Sequence, residues 1–196
     1  MNIGELHIIT GPMFSGKTSG LLDKLYRDYA IGLNVLYINH VHDDRNSESF
    51  STHNPIFSKK AKTKTDISFI KSKNLKSLLN LVDKYDVIGI DEAQFFNDLL
   101  ECVPHIVEKY NKKVYIAGLD GTFERKPFGD IYKLISFSDS FTKLHSYCKE
   151  CSNKKPKVIS KALFTYKINN DNNKIDIGGI DKYIPVCRKC FVNLNK

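Results

Sequence analysis

No stretch of this chain approaches the roughly 18 consecutive apolar residues of a membrane-spanning helix, so a transmembrane helix is not expected. Room for a secretion signal is also missing, because the first apolar segment runs straight into a glycine-rich loop. No internal repeat is visible. Cysteine is sparse, at five residues in 196, and without a signal these thiols are expected to meet a reducing, cytoplasmic compartment. The length suits one good-sized domain with an appendage but not two full domains, and 41% hydrophobic residues can bury a core.

Acidic residues are in deficit, 22 against 30 basic, for a formal net charge of +8. Clustered lysine and arginine would suit a nucleic-acid backbone. Here much of the excess lies in "KKAKTKTD" (Lys59 to Asp66) and "KSKNLK" (Lys71 to Lys76), mixed with Thr, Ser and Asn. That mixture reads as a solvated loop and helix face, so neither a nucleic-acid nor a membrane partner is expected.

What the chain does have is "ITGPMFSGKTSG" (Ile9 to Gly20), in which Gly11, Gly16, Lys17 and Thr18 satisfy G-x-x-x-x-G-K-[ST]. The glycines let successive N–H groups turn inward around phosphate oxygens, the lysine reaches the outer phosphates and the hydroxyl offers a Mg²⁺ ligand. Chance alone would produce the pattern in about one per cent of chains this long. The context is also right. The apolar run "LHIIT" precedes it, and Leu21, Leu22, Leu25, Tyr26 and Tyr29 follow at helical spacing. Gly11, Pro12, Met13, Phe14, Ser15, Gly16, Lys17 and Thr18 are therefore the expected phosphate-binding residues.

Further strands are expected at "NVLYI" (34–38), "VIGID" (87–91) and "VYIAGL" (114–119), with helices through Leu75, Leu78, Leu79 and Val82 and from about Asp98 to Tyr110. Alternation of this kind predicts an α/β fold, a P-loop domain with a mainly parallel sheet flanked by helices and its ligand at the strand C-termini. From about Phe141 the character changes: "CKEC" and "CRKC" bracket an Asn- and Lys-rich segment containing "KVIS" and "KIDIGG". We expect a nucleotide-binding domain over 1–142 and a small C-terminal zinc-binding domain over 143–196.

Asp91 and Glu92 close an apolar strand downstream of the loop, where an acidic residue commonly holds Mg²⁺. Neighbours on a strand face opposite ways, so Asp91 is assigned to the metal and Glu92 to an acceptor substrate. Cys148, Cys151, Cys187 and Cys190 form C-x-x-C, a gap of 35 residues, and C-x-x-C. Four thiolates saturate a tetrahedral zinc ion, leaving no open position for catalysis; a disulfide pair is the competing reading, disfavoured by the expected compartment. Cys102, alone on a helix, reads as a small buried hydrophobe. In "LDGTFERKPFG" (Leu119 to Gly129), Phe123 and Phe128 fit either a core or a flat slot for a base.

Taken in order, "GPMFSGKT", "DDRNSESFSTH", "VIGIDEAQFF", "LDGTFERKPFG", "CKEC", "IGGIDKY" and "CRKC" resemble the thymidine kinases of the zinc-containing class, which includes cytosolic vertebrate, poxviral and many bacterial enzymes. The resemblance covers nearly the whole chain. It implies transfer of the γ-phosphoryl group of ATP to the 5′-hydroxyl of thymidine, and of deoxyuridine. Glu92 would be the general base and Arg45 would offset charge on the group in flight, with Thr18, Asp91 and Asp43 around Mg²⁺. Met13, Phe95, Leu119, Phe123, Phe128 and Tyr183 match an apolar wall around thymine. The resemblance also implies that the zinc-binding domain carries a substrate-closing loop, matched here by Asp176, Ile177 and Gly178, and Ser160 in "SKA" stands where relatives have a hydroxyl, then Lys or Gln, then Arg. A homotetramer and feedback by thymidine triphosphate are implied as well. The rival reading is a nucleic-acid-stimulated P-loop ATPase with a zinc ribbon; it suffers from the absence of a second motor lobe.

Overall fold

The computed structural model describes residues 3–43, 67–168 and 181–196. Its centre is a six-stranded sheet in the order β3-β2-β4-β5-β1-β6, built from β1 (Glu5–Thr10), β2 (Val35–His40), β3 (Ser68–Ser72), β4 (Val87–Ile90), β5 (Lys113–Gly118) and β6 (Ser140–Lys143). Every neighbouring pair is parallel, with Ile8 opposite Ile116 and Ile38 opposite Ile90.

Side-chain alternation divides the sheet into two apolar faces. On one, Ile8, Ile38, Ile90 and Ile116 pack with Leu99, Val103 and Ile106 of helix α2 (Leu99–Glu108). On the other, Ile9, Tyr37, Val87 and Ala117 meet Leu21, Leu22 and Leu25 of helix α1 (Lys17–Ala30). The three leucines are fully buried, and burial of each such side chain is worth about 1.5–3 kcal/mol. The sheet is thus clamped between helices, and the ends of β1, β2, β4 and β5 stay in register on one side.

Two elements differ from the sequence expectation. The apolar residues from Leu75 to Val82 form not one helix but two 3-10 turns, Lys76–Leu78 and Val82–Lys84. The Asp98 carboxylate accepts the N–H groups of Leu75 and Lys76 (2.8 and 2.9 Å), pinning the entry to the first turn. β3 was not anticipated; it is a short edge strand whose residues are mostly half-buried, so its apolar signal is weak.

The C-terminal lobe pairs β7 (Ser146–Tyr147) with β8 (Lys161–Ala162) and β9 (Phe164–Lys167) with β10 (Tyr183–Val186), both antiparallel. Short helices α3 (Lys149–Ser152) and α4 (Arg188–Leu194) follow β7 and β10. "KVIS" forms no strand. The sheet of the first lobe runs through Lys143, and Leu144 donates its N–H to the Thr10 carbonyl (2.8 Å) before the chain leaves for the second lobe. Among the described residues no helix is long and apolar enough to cross a membrane.

Candidate active site

β1 delivers the chain into the glycine loop at Thr10, and α1 begins at Lys17. Gly16, the residue capping that helix, has φ 83°, a left-handed conformation that a side chain would strain. Phe14 also has positive φ, at 61°. Successive turns of this kind leave backbone N–H groups at a helix N-terminus, a ready anion site. Buried hydroxyl oxygens of Thr10 and Ser15 have no hydrogen-bond partner among the described residues, as befits a loop shaped for a polar ligand. Lys17 folds back so that Nζ donates to the Pro12 carbonyl (2.8 Å).

Beside the loop, the strand end places Asp91 in the interior. Its carboxylate accepts hydrogen bonds from the Tyr37 hydroxyl (2.8 Å), the Glu92 N–H (2.9 Å) and the Thr18 hydroxyl. Burial, followed by the charge of Glu92, raises the Asp91 carboxyl to about 6 against these donors. Burial and the nearby carboxylate push the Tyr37 phenol well up, so it stays a donor. The Thr18–Asp91 contact joins the loop to the strand end, and these two residues have the oxygen donor set that Mg²⁺ takes. Asp43, also buried, lies at the end of β2, where Asn39 Nδ2 donates to its carboxylate (2.9 Å) and Lys71 Nζ to its carbonyl (2.6 Å).

Asp91 and Glu92 do diverge, but not by strand alternation. β4 ends at Ile90, and Glu92 adopts a left-handed conformation (φ 50°, ψ 38°) that turns its carboxylate to Gln94, whose Nε2 donates to Glu92 Oε2 (2.7 Å). Positive φ at a non-glycine residue costs energy and concentrates at functional positions.

The expected base wall is assembled from several elements. Phe95 meets Phe128 edge-on (5.5 Å) and also packs against His40 (5.5 Å), while Phe123 faces Tyr183 (6.5 Å). Leu119 donates its N–H to Gln94 Oε1 (2.9 Å), and Met13 donates its N–H to the Thr165 hydroxyl (3.0 Å). Thr165, a buried hydroxyl that the sequence reading did not single out, is thereby tied to the glycine loop. Ser160 lies instead at the cysteine cluster, where its side chain bonds Cys151 and its carbonyl accepts the Cys148 N–H (2.8 Å). In "FTYK" the buried Thr165 and Lys167 share one face of β9, a hydroxyl followed two residues later by a base. That alternation was the available signal. Arg45, Asp176, Ile177 and Gly178 lie outside the described residues.

Cys148 and Cys187 each occupy the residue before a short helix, and Cys151 and Cys190 lie within the helices that follow. All four sulfurs lie within 4.8 Å of one another, with Cys151 3.8 Å from Cys187 and 3.6 Å from Cys190. A tetrahedron of thiolates about 2.3 Å from a zinc ion has edges of about 3.8 Å, so the donor set fits that metal. The hydrogen bond from Ser160 pulls the Cys151 thiol down to about 7. All five cysteines are free thiols. Cys102 is indeed buried, its thiol pushed up to about 12 by burial and Asp98.

A parallel sheet between helices, a phosphate loop at its C-terminal edge and an acidic pair beside that loop define a P-loop nucleotide-binding protein with a cysteine-rich second lobe. The thymidine kinase family profile matches residues 4–191. Thymidine kinase of Fowlpox virus (strain NVSL) is 38% identical over 195 residues, covering 97% of this chain and 98% of that protein. Thymidine kinase of Choristoneura fumiferana entomopoxvirus is 39% identical over 189 residues, with 95% and 96% covered. Thymidine kinase a of Arabidopsis thaliana is 38% identical over 190 residues, covering 96% of this chain and 75% of that protein. The chain belongs to the thymidine kinase family, a family of kinase enzymes.

Proposed function

We propose that this protein transfers the γ-phosphoryl group of ATP to the 5′-hydroxyl of thymidine, with deoxyuridine as a second substrate, supplying thymidylate for DNA synthesis by salvage. The observation that carries the reading is the pairing of Thr18 with Asp91 at the mouth of the loop while Glu92 turns away toward Gln94. This divergence supports one carboxylate serving the phosphate side and its neighbour the acceptor side.

In the proposed reaction Glu92 accepts the 5′-hydroxyl proton as that oxygen bonds to the γ-phosphorus, and the bond from phosphorus to the β–γ bridging oxygen breaks, releasing ADP. Lys17 and the loop N–H groups hold the donor phosphates, and Arg45 offsets charge on the transferred group. Thr18, Asp91 and Asp43 would hold Mg²⁺, which when bound neutralises phosphate charge. Met13, Phe95, Leu119, Phe123, Phe128 and Tyr183 enclose the base, with Thr165 taking the place first given to Ser160. Asp176, Ile177 and Gly178 are assigned to nucleoside binding. We assign zinc to Cys148, Cys151, Cys187 and Cys190, where it fixes both flanks of the closing segment, and divide the chain into the two lobes already described.

Met13 belongs to the phosphate loop and touches the base side through Thr165, which supports a thymidine triphosphate spanning both regions as a feedback inhibitor. A homotetramer is supported by the open edge strand β6 with exposed Phe141, near exposed Phe137, Ile135 and Tyr132. A cytoplasmic location suits thiols kept open to a metal. The test is ATP consumption: it should rise in step with added thymidine and ignore DNA, whereas stimulation by DNA with indifference to nucleosides would overturn the reading.

A further inference from the structure

The side chain of Gln94 is almost completely buried, at 3% exposure, yet it belongs to neither the phosphate loop nor the aromatic wall. Both ends of its amide are engaged. Nε2 donates to Glu92 Oε2 (2.7 Å), and Oε1 accepts the Leu119 N–H (2.9 Å). The two partners fix the orientation of the amide, since a flip would set an oxygen against the carboxylate and an NH₂ against an N–H.

Glycine makes room for this residue twice, at Gly118 for its side chain and at Gly129 for its backbone. A Cβ on Gly118 would lie 2.7 Å from Gln94 Oε1, and one on Gly129 would lie 2.3 Å from the Gln94 carbonyl oxygen. Gly129 also has φ 62°. The Gln94 side chain therefore lies against the end of β5, while its backbone packs closely on Gly129, at the end of the segment that carries Phe123 and Phe128. Glu92, held in a left-handed conformation, presents its carboxylate to this amide.

We propose that Gln94 is a positioning residue: it fixes the carboxylate of Glu92 and ties that carboxylate to Leu119, so that the base wall and the proton acceptor are set in register through one amide. The inference rests on the reading of Glu92 as general base. Its consequence is a division of labour within one side chain. The Nε2 contact governs turnover through Glu92, and the Oε1 contact governs nucleoside affinity through Leu119.

Isosteric substitutions separate the two contacts. Gln94→Glu keeps an acceptor for the Leu119 N–H but sets a second carboxyl against Glu92, so kcat should fall about 10-fold with its pH profile moved upward while KM for thymidine stays within about twofold. Gln94→Met loses both contacts without opening a large cavity, so kcat should fall and KM rise, each about 10-fold. In a Glu92→Gln background, where no base remains to be oriented, Gln94→Met should lower kcat by less than about twofold further. Should Gln94→Glu not fold, Gln94→Met and its double variant carry the test alone. Wild-type kcat in Gln94→Met, or an undiminished loss on top of Glu92→Gln, would overturn the proposal. Near-normal turnover of Glu92→Gln by itself would instead overturn the assignment of the base, a distinguishable result.

Discussion

Glu92 and Asp91 adjoin in sequence yet face different partners, because Glu92 is left-handed and each carboxylate has its own hydrogen bonds. Glu92→Gln keeps the shape and the acceptor for Gln94 but removes the base, so turnover should fall by about 10²–10⁴ with thymidine affinity little changed. Steady-state kinetics with a direct binding measurement checks both halves; a turnover close to wild type would rule out the role. A second residue-scale expectation concerns His40, buried at the end of β2. Its Nδ1 accepts the His42 N–H (3.2 Å) and its Nε2 lies 3.2 Å from the Lys73 carbonyl, an arrangement that suits the neutral ring. Burial, then the neighbouring His42, lowers its pKa from 6.5. The folded state then binds fewer protons than the unfolded chain below pH 6.5, so this group costs stability as pH falls below that value and has no effect above it. The slope is at most about 1.4 kcal/mol per pH unit, and His40→Gln, which retains an acceptor and a donor, should flatten it. Urea midpoints at pH 7.5 and 5.5 decide the matter: equal losses in both proteins would remove His40 from the account.

At the scale of elements, the phosphate loop with its flanking strand and helix was legible because its signals agree: an apolar run, glycines at the turns and leucines at helical spacing. The buried strands β2, β4 and β5 were legible for a related reason, being short continuous apolar runs. Periodicity failed between Leu75 and Val82, where a spacing of three suits a 3-10 turn as well as an α-helix and a long-range contact from Asp98 decides between them. Thr165 was missed because one hydroxyl among several in the C-terminal lobe carries no label until pairing of β9 with β10 sets its face. The cysteines were legible from spacing alone, since a ligand knuckle is local. The lobe they organise carries Thr165 to Met13 and Tyr183 to Phe123, residues of the proposed nucleoside site, so Cys187→Ser should lose both metal and thymidine binding. Elemental analysis is expected to find one zinc ion per wild-type chain; freshly purified protein without zinc, or a variant that still binds thymidine normally, would contradict this.

For the molecule as a whole, the proposed activity turns on which base is accepted. If thymine is recognised through backbone groups of the loop around Ile177 and Gly178, those donors and acceptors cannot be exchanged by rotating a side chain. Thymine presents a carbonyl at position 4 and an N–H at position 3, where cytosine presents an amino group and a bare nitrogen. Cytosine would reverse both pairs and leave buried polar groups unmatched, a penalty that reaches about 10⁴–10⁵ in catalytic efficiency. Loss of the 5-methyl group alone should cost about 1–3 kcal/mol. The most direct test is the rate of phosphoryl transfer from labelled ATP to thymidine, deoxyuridine and deoxycytidine under identical conditions. Thymidine should lead, deoxyuridine should follow at a modest distance, and deoxycytidine should be essentially excluded; efficient phosphorylation of deoxycytidine, or no transfer to thymidine, would contradict the account.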